Sequence, residues 1–126
     1  METTQLSQFK NQQFLSLETF RKNGQGVPTP VWFAEDQGVL YVRTMDNSGK
    51  VKRIRNNSRV RVAPCDARGG LLGDWLEGQA SLPGDQVTEA HVNQLFNRKY
   101  GFTKTLFDGL NILRRTKWVT IAIGLV

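Results

Sequence analysis

The strongest chemical signal in the sequence is a short segment of hydroxyl, glycine and lysine residues that is typical of an anion site. Its members are Thr44, Ser48, Gly49, Lys50 and Lys52. Ser48 suits the N-cap of a helix, whose first turn carries unpaired backbone N–H groups and the positive end of the dipole. Lysines in that turn oppose the dipole, and a bound phosphate would offset this cost. The segment therefore predicts a phosphate site, with an exposed, capped helix as the alternative.

A second segment could hold a planar ring. Its members are Thr29, Pro30, Val31 and Trp32. Pro28 and Pro30 cannot donate to a ladder, so this strand is predicted to be an edge or irregular strand. Its backbone N–H and C=O groups could then meet a heterocycle, against which Trp32 could pack. The alternative, which the pattern alone favours, places Val31 and Phe33 in the core and Trp32 over a barrel end or an interface.

The single cysteine and single histidine leave little room for metal or redox chemistry by side chains alone. Cys65 cannot form a disulfide within the chain, and with His91 it supplies too few ligands for a Cys/His zinc site. We expect Cys65 to be a packed thiol in a strand and His91 to be a partly buried structural residue. No metal site is predicted, and no side chain stands out as a catalytic acid or base.

The positive charge of the chain is concentrated in one stretch. The chain has 17 Lys and Arg against 11 Asp and Glu, a net charge of +6. Between positions 43 and 68 the only acidic residues are Asp46 and Asp66. The basic residues there are Arg43, Lys50, Lys52, Arg53, Arg55, Arg59, Arg61 and Arg68. The excess in this stretch equals the whole net charge, which favours a localised anion site over a generally basic surface. A solvated face that only keeps the protein soluble is the alternative.

The pattern of apolar residues and turns predicts a mainly β protein. The expected strands are residues 14–22, 27–34, 39–44, 59–63, 71–82 and 117–125. Short helices are expected around Leu6 and Phe9, from Ser48 to about position 56, at 85–100 and at about 104–113. The helix predicted at 85–100 is expected to bury one side, which carries Val87, His91, Leu95 and Phe96. We predict a six-stranded antiparallel barrel with short flanking helices, since closure removes exposed strand edges.

Length and composition limit the organisation of the chain. Its 126 residues suit one domain over positions 1–126, and 39% hydrophobic residues are enough to fill a core. The first residues are polar and unlike a signal peptide, and no run approaches the roughly 20 apolar residues that span a bilayer. We therefore expect a cytoplasmic protein with no membrane partner.

Several of these segments occur together in a known superfamily. They are residues 17–24 (LETFRKNG), 28–33 (PTPVWF), 40–44 (LYVRT), 48–50 (SGK) and 59–60 (RV). From about Phe14 to its end, the chain resembles the flavin-binding split-barrel superfamily of pyridoxamine phosphate oxidase-like proteins. It looks closest to the small deazaflavin-dependent oxidoreductases, in which residues 62–66 (VAPCD) and 68–69 (RG) are also familiar.

The resemblance implies a Greek-key split barrel that forms a homodimer, with two flavin-type cofactors in clefts at the dimer interface. It implies that Lys50 and Lys52, helped by Ser48 and Thr44, hold the cofactor phosphate. The backbone of residues 29–32 would line the ring, and the second subunit would contribute contacts near Trp118. The chain lacks the Arg- and His-rich C-terminal motif of true pyridoxamine phosphate oxidases, which argues against oxidation of vitamin B6.

The leading functional hypothesis is an oxidoreductase that binds FMN or the deazaflavin coenzyme and transfers hydride to or from a small organic substrate. The cofactor would supply the chemistry, which fits the lack of an evident catalytic side chain. One alternative is a cofactor carrier without turnover. Another is a small basic barrel that binds single-stranded nucleic acid through Trp32, Phe33 and Tyr41. Lysines gathered at a helix start suit one phosphate better than a groove that tracks a strand.

Overall fold

The computed structural model describes residues 6–101 and 118–126, which form six strands and two helices. The strands are β1 (Phe14–Phe20), β2 (Gly26–Asp36), β3 (Val39–Met45), β4 (Arg59–Cys65), β5 (Leu76–Ser81) and β6 (Trp118–Leu125). The helices are α1 (Gly49–Asn56) and α2 (Gln86–Tyr100). Neither helix is long and apolar enough to cross a membrane, and this holds for the described residues. The helix predicted at about 104–113 lies outside them.

The strands close into one antiparallel barrel in the order β1-β2-β3-β6-β5-β4. Every neighbouring pair is antiparallel, and the chain crosses over so that β4 lies beside β1 and β6 lies beside β3. The predicted mainly β fold with six antiparallel strands is confirmed. Its crossover connections make it a Greek key, as the resemblance implied.

Alternation along the strands fills the barrel interior. Its fully buried members include Leu15, Leu17, Leu40, Val42, Val60, Val62, Ile121 and Ile123. On β4 this places Arg59 and Arg61 on the outer face, as the sequence predicted. Helix α2 packs outside the barrel, where Val92 and Phe96 form a second, smaller cluster with Ala34.

The predicted buried face of α2 is partly wrong. Phe96 is buried as expected, but Val87 is 81% exposed, and His91 and Leu95 are only half-buried. Val92 is fully buried instead. The sequence offered two apolar rows at helical spacing, and contact with the strand that carries Ala34 selects the row of Val92 and Phe96.

The fifth strand is shorter than predicted, since β5 begins at Leu76 and not at position 71. The Asp66 carboxylate accepts hydrogen bonds from the backbone N–H groups of Arg68 (2.9 Å) and Gly70 (2.8 Å). These bonds hold a tight turn after β4, and Gly69 adopts a φ of +91° within it. Leu71 is therefore 47% exposed and forms only an isolated bridge with Cys65.

Candidate functional site

The start of α1 is built from a strand end and a capped first turn. Ser48 is the N-cap, and its hydroxyl oxygen accepts the Val51 backbone N–H at 3.4 Å. The Thr44 hydroxyl, near the end of β3, lies 3.4 Å from the Ser48 hydroxyl. The helix starts and caps where the sequence predicted, because both signals are local. Two hydroxyls and the first N–H groups of α1 thus come together beside β3.

Basic side chains crowd around this helix start. Lys50 is half-buried and Lys52 is exposed. Arg53 folds back so that its Nε donates to the Thr19 hydroxyl at 2.6 Å, and a Cβ on Gly49 would lie 2.8 Å from its Nη1. Burial, and then the charge of Arg53, lower the pKa of Lys50. Burial, and then the charge of Arg21, lower the pKa of Arg53. The helix start therefore favours the arrival of negative charge.

A cavity of about 340 Å³ lies beside Arg53, and we call it the cationic pocket. Its lining residues are Phe20, Arg21, Lys22, Gly49, Lys52, Arg53 and Asn56. Four of these carry positive charge and none is acidic. Of the predicted phosphate residues, Gly49 and Lys52 line this pocket, whereas Thr44, Ser48 and Lys50 do not. Sequence reasoning missed Arg21 and Lys22, because they follow β1 and reach α1 only through the fold.

Ion pairs explain why the free positive charge gathers at α1. Four arginines of the basic stretch lie within 4.0 Å of a carboxylate. The pairs are Arg43–Glu89 (3.4 Å), Arg55–Asp46 (2.8 Å), Arg59–Glu77 (2.8 Å) and Arg61–Glu18 (2.5 Å). Within residues 6–101 and 118–126, the other four basic residues of the stretch have no such partner, and three of them (Lys50, Lys52 and Arg53, but not Arg68) lie in α1. The excess of positive charge that the sequence predicted for residues 43–68 is therefore centred on α1 and does not extend over the whole stretch.

Strand β2 changes partners at Phe33. It pairs with β1 from Gly26 to Trp32 and with β3 only from Phe33 to Asp36. Along residues 26–32 its other edge has no strand beside it in the described part of the chain. Continuing the β2–β3 register would place Thr44 opposite Val31, but the ladder ends at Phe33 and Val42. We call the region between residues 28–32 of β2 and the segment from Thr44 to the start of α1, where this ladder is absent, the split.

The open edge of β2 presents carbonyl groups. At Phe33 the N–H and C=O both bond to the Tyr100 hydroxyl (3.0 and 2.5 Å), which also lies 2.8 Å from the Gln13 carbonyl, on the side of β1. Since these groups alternate in direction along a strand, Pro28 and Pro30 direct theirs to the split. Proline has no N–H, so the two residues offer acceptors without losing a ladder donor. The predicted edge strand is confirmed.

Trp32 lies at the point where the split begins. Its side chain is 42% exposed, while Val31 is half-buried and Phe33 is 1% exposed. The indole stacks on the Tyr100 ring, with centroids 5.0 Å apart and planes 14° from parallel. The alternative interpretation, which placed Phe33 in the core, is thus correct for that residue. Trp32 presents an aromatic face that the Tyr100 ring supports from behind. Tyr100 was expected only to end α2, and its contacts with β2 were not foreseen.

The loop after β4 passes next to the same strand. A Cβ on Gly69 would lie 3.9 Å from the Pro30 ring, so the turn that carries Arg68 packs beside Pro30. Cys65, which precedes this turn, is 2% exposed and ends β4, as predicted for a packed thiol. Burial is the main cause that raises its pKa, which makes the thiolate scarce.

His91 of α2 is paired with an acidic residue of β2. The His91 Nε2 atom lies 2.8 Å from the Asp36 carboxylate, and the imidazole meets the Tyr41 ring edge to face. The expected partial burial of His91 is confirmed. Within the described residues, no group of three or more His, Cys, Asp or Glu side chains could hold a metal ion.

Comparison with known proteins shows the same architecture. No family model matches the sequence, and no curated protein matches it. A putative pyridoxamine 5'-phosphate oxidase from Listeria innocua superposes with a TM-score of 0.70 at 18% identity, over 98% of this chain and 92% of that one. An F420 reductase superposes with a TM-score of 0.63 at 21% identity, over 96% of this chain and 92% of that one. A heme storage protein from Vibrio cholerae superposes with a TM-score of 0.73 at 14% identity, over 98% of this chain and 89% of that one.

The chain has the fold of the pyridoxamine phosphate oxidase-like split barrels. At these identities the likeness shows the fold alone, and the three proteins carry different functions in their names. The split barrel implied by the sequence resemblance is thereby confirmed.

Proposed function

We propose that this split barrel is an oxidoreductase that binds FMN or the deazaflavin coenzyme in the split between β2 and α1. One observation carries the proposal: the β2–β3 ladder ends at Phe33 and Val42, with backbone acceptors on one side of the opening and a capped, cationic helix start on the other. A coenzyme with a polar ring at one end and a phosphate at the other matches that pair of surfaces. Two proteins of the same fold, named as an F420 reductase and a putative pyridoxamine 5'-phosphate oxidase, support an oxidoreductase as the class of enzyme.

The phosphate half of the proposal rests on uncompensated charge. Lys50 and Lys52 would bind the phosphate oxygens together with the first N–H groups of α1, and Ser48 and Thr44 would add hydroxyl donors. Arg53, held by Thr19 on one side, keeps its remaining donors beside Gly49. Burial, and then the charge of Arg53, lower the pKa of Lys50, and among the described residues no carboxylate lies within 4.0 Å of Lys50, Lys52 or Arg53, so this cluster fits a phosphate.

The ring half rests on the edge of β2. The carbonyl groups of Pro28 and Pro30 can accept a hydrogen bond from a ring N–H, and both flavin and deazaflavin rings carry one. Thr29 and Val31 turn their backbone groups to β1 and hold the strand in place. Trp32, supported by Tyr100, offers an aromatic face at the end of this edge. When bound, the coenzyme supplies the hydride chemistry, and the protein binds and orients it.

A second copy of the chain is part of the proposal. We propose a homodimer in which the partner covers the split and contributes contacts near the start of β6, where Trp118 is half-buried. A small organic substrate would then meet the coenzyme ring between the two subunits. Sedimentation of the purified protein tests the dimer, and a monomer with full coenzyme affinity would contradict this part of the proposal.

Coenzyme titration tests the proposed function directly. The purified protein should bind FMN or the deazaflavin coenzyme with a Kd in the micromolar range or below, followed by absorbance or fluorescence. No binding of either at high concentration would overturn the proposal. If the bound, reduced coenzyme is not reoxidised by any of a panel of small quinones and aldehydes, the result favours a carrier over an oxidoreductase.

Nucleic-acid binding has weaker structural support. Arg59 and Arg61, which could have lined a cationic groove, are paired with Glu77 and Glu18. Their guanidinium groups also stack on Phe20 (4.4 Å) and Trp75 (4.8 Å). A gel shift with single-stranded DNA at moderate salt should show no complex. A complex that weakens steeply with salt would favour the nucleic-acid interpretation instead.

A further inference from the structure

We propose that a second cavity, separate from the split, binds a small organic anion with an apolar body, and that Lys99 is the counter-ion. The cavity measures about 760 Å³ and lies between residues 6–13 and the end of α2. We call it the Lys99 cavity, and the residues that line it include Leu6, Phe9, Lys10, Phe33, Glu35 and Lys99, beside polar residues of the segment 7–13. Its volume is within the range of pockets that hold small molecules, which is about 300–1,000 Å³.

Lys99 has no counter-charge in the parts of the chain that the structure describes. Its Nζ donates to the Phe33 carbonyl at 2.8 Å and lies 3.5 Å from the centroid of the Phe33 ring. The Tyr100 ring is 5.2 Å away. An ammonium group has three donors, and the carbonyl uses one of them. The remaining donors and the full positive charge are available to a ligand in the cavity.

The cavity walls select the rest of the ligand. Leu6, Phe9 and Phe33 line the cavity, and the two rings pack edge to face with centroids 5.7 Å apart. Lys10 and Glu35 also line it, and their charges have opposite signs, so Lys99 leaves the cavity with a net positive charge. A ligand therefore gains by placing its anionic group at Lys99 and its apolar body against Leu6 and the ring edges. Aromatic carboxylates and sulfonates have this form.

The ionisation of Lys99 supports the geometry. Burial lowers the pKa of Lys99 to about 8, because the ammonium loses hydration and gains no carboxylate partner. The other titratable groups of the cavity are Lys10 and Glu35, and the Tyr100 ring lies 5.2 Å from the Lys99 Nζ atom. A bound anion would raise this pKa again, so binding should draw a proton to Lys99 at mildly alkaline pH.

A matched pair of ligands tests the proposal. We would titrate 2-naphthoate and its neutral analogue 2-naphthamide into the wild-type protein at pH 7 by calorimetry. The carboxylate should bind about tenfold more tightly than the amide, the effect of one charge-assisted hydrogen bond. Raising the pH from 7 to 9.5 should remove most of this preference, because Lys99 loses its proton. Equal affinities at pH 7, or no binding of either ligand, would overturn the proposal.

Three variants assign the effect to this cavity. Lys99→Gln should abolish both the preference for the carboxylate and its pH dependence, with circular dichroism to show that the fold is kept. Arg98→Gln removes the same charge from the neighbouring position on α2 and should leave both intact. Lys50→Ala should also leave them intact, and a loss of the preference there would assign the anion to the split and overturn the proposal.

Discussion

Phe33 and Val42 are the last pair of the β2–β3 ladder, and β2 passes from β1 to β3 at Phe33. On one side of this residue the Tyr100 hydroxyl takes the place of the missing β1 partner. On the other side the strands separate and leave the split. The β1–β2 ladder ends at Trp32 and the β2–β3 ladder begins at Phe33, where α2 holds the strand through the side chains of Tyr100 and Lys99.

Ser48→Ala should separate stability from binding when it is compared with Ser48→Asp. The alanine variant loses the acceptor for the Val51 N–H and should lower the free energy of unfolding by about 1 kcal/mol. Aspartate keeps a capping acceptor, so its stability should stay near that of the wild type. Its negative charge should abolish coenzyme binding at the phosphate site. Urea denaturation and coenzyme titration measure the two effects, and an aspartate variant that binds normally would place the phosphate elsewhere.

Tyr100→Phe should loosen the point where β2 changes partners. It removes the acceptor for the Phe33 N–H and the hydroxyl near the Gln13 carbonyl, while the stacked ring remains. We expect the free energy of unfolding to fall by about 1–3 kcal/mol, because buried backbone groups are left unpaired. Tyr41→Phe is the control, since Tyr41 contacts His91 through its ring. Similar losses in both variants would contradict the role given to the Tyr100 hydroxyl.

Lys99 should make stability depend on pH in a defined window. Its pKa falls from the ordinary 10.5 to about 8 in the folded protein, so between these values the unfolded chain binds more protons. Its contribution to the free energy of unfolding therefore rises with pH from about 8 to 10.5. Burial raises the pKa of Tyr100 from 10.0 to about 12, so this group acts in the opposite sense above pH 10. Subtracting the Lys99→Gln curve from the wild-type curve isolates the lysine, and a flat difference would contradict the assignment.

The features that the sequence predicted well depend on local rules. Ser48 at the start of α1 and the alternation of Val60 and Val62 in β4 follow from capping and from strand periodicity. Pro28 and Pro30 likewise predicted an edge strand, because the lack of a proline N–H does not depend on the rest of the fold.

The features that it missed depend on contacts between distant segments. Arg21 joins the cationic pocket only because β1 ends beside α1. The buried row of α2 was decided by contact with Ala34, and the exposed turn before β5 by hydrogen bonds to Asp66. The pairing of Arg59 and Arg61 with carboxylates also depends on tertiary contacts, and it removes these two arginines from the free positive charge of the basic stretch.

The most direct test of the phosphate site compares each coenzyme with its form that lacks phosphate, in the wild type and in Lys50→Ala. The pairs are FMN with riboflavin, and the deazaflavin coenzyme with the same ring and ribityl chain alone. The wild type should bind the phosphorylated form more tightly. Lys50→Ala should weaken binding of the phosphorylated form by about 1.5–3 kcal/mol and leave binding of the form without phosphate unchanged. It should alter the free energy of unfolding little. Arg98→Ala should behave like the wild type. Unchanged affinity in Lys50→Ala, or an equal loss for both forms, would contradict the assignment of the phosphate to the start of α1.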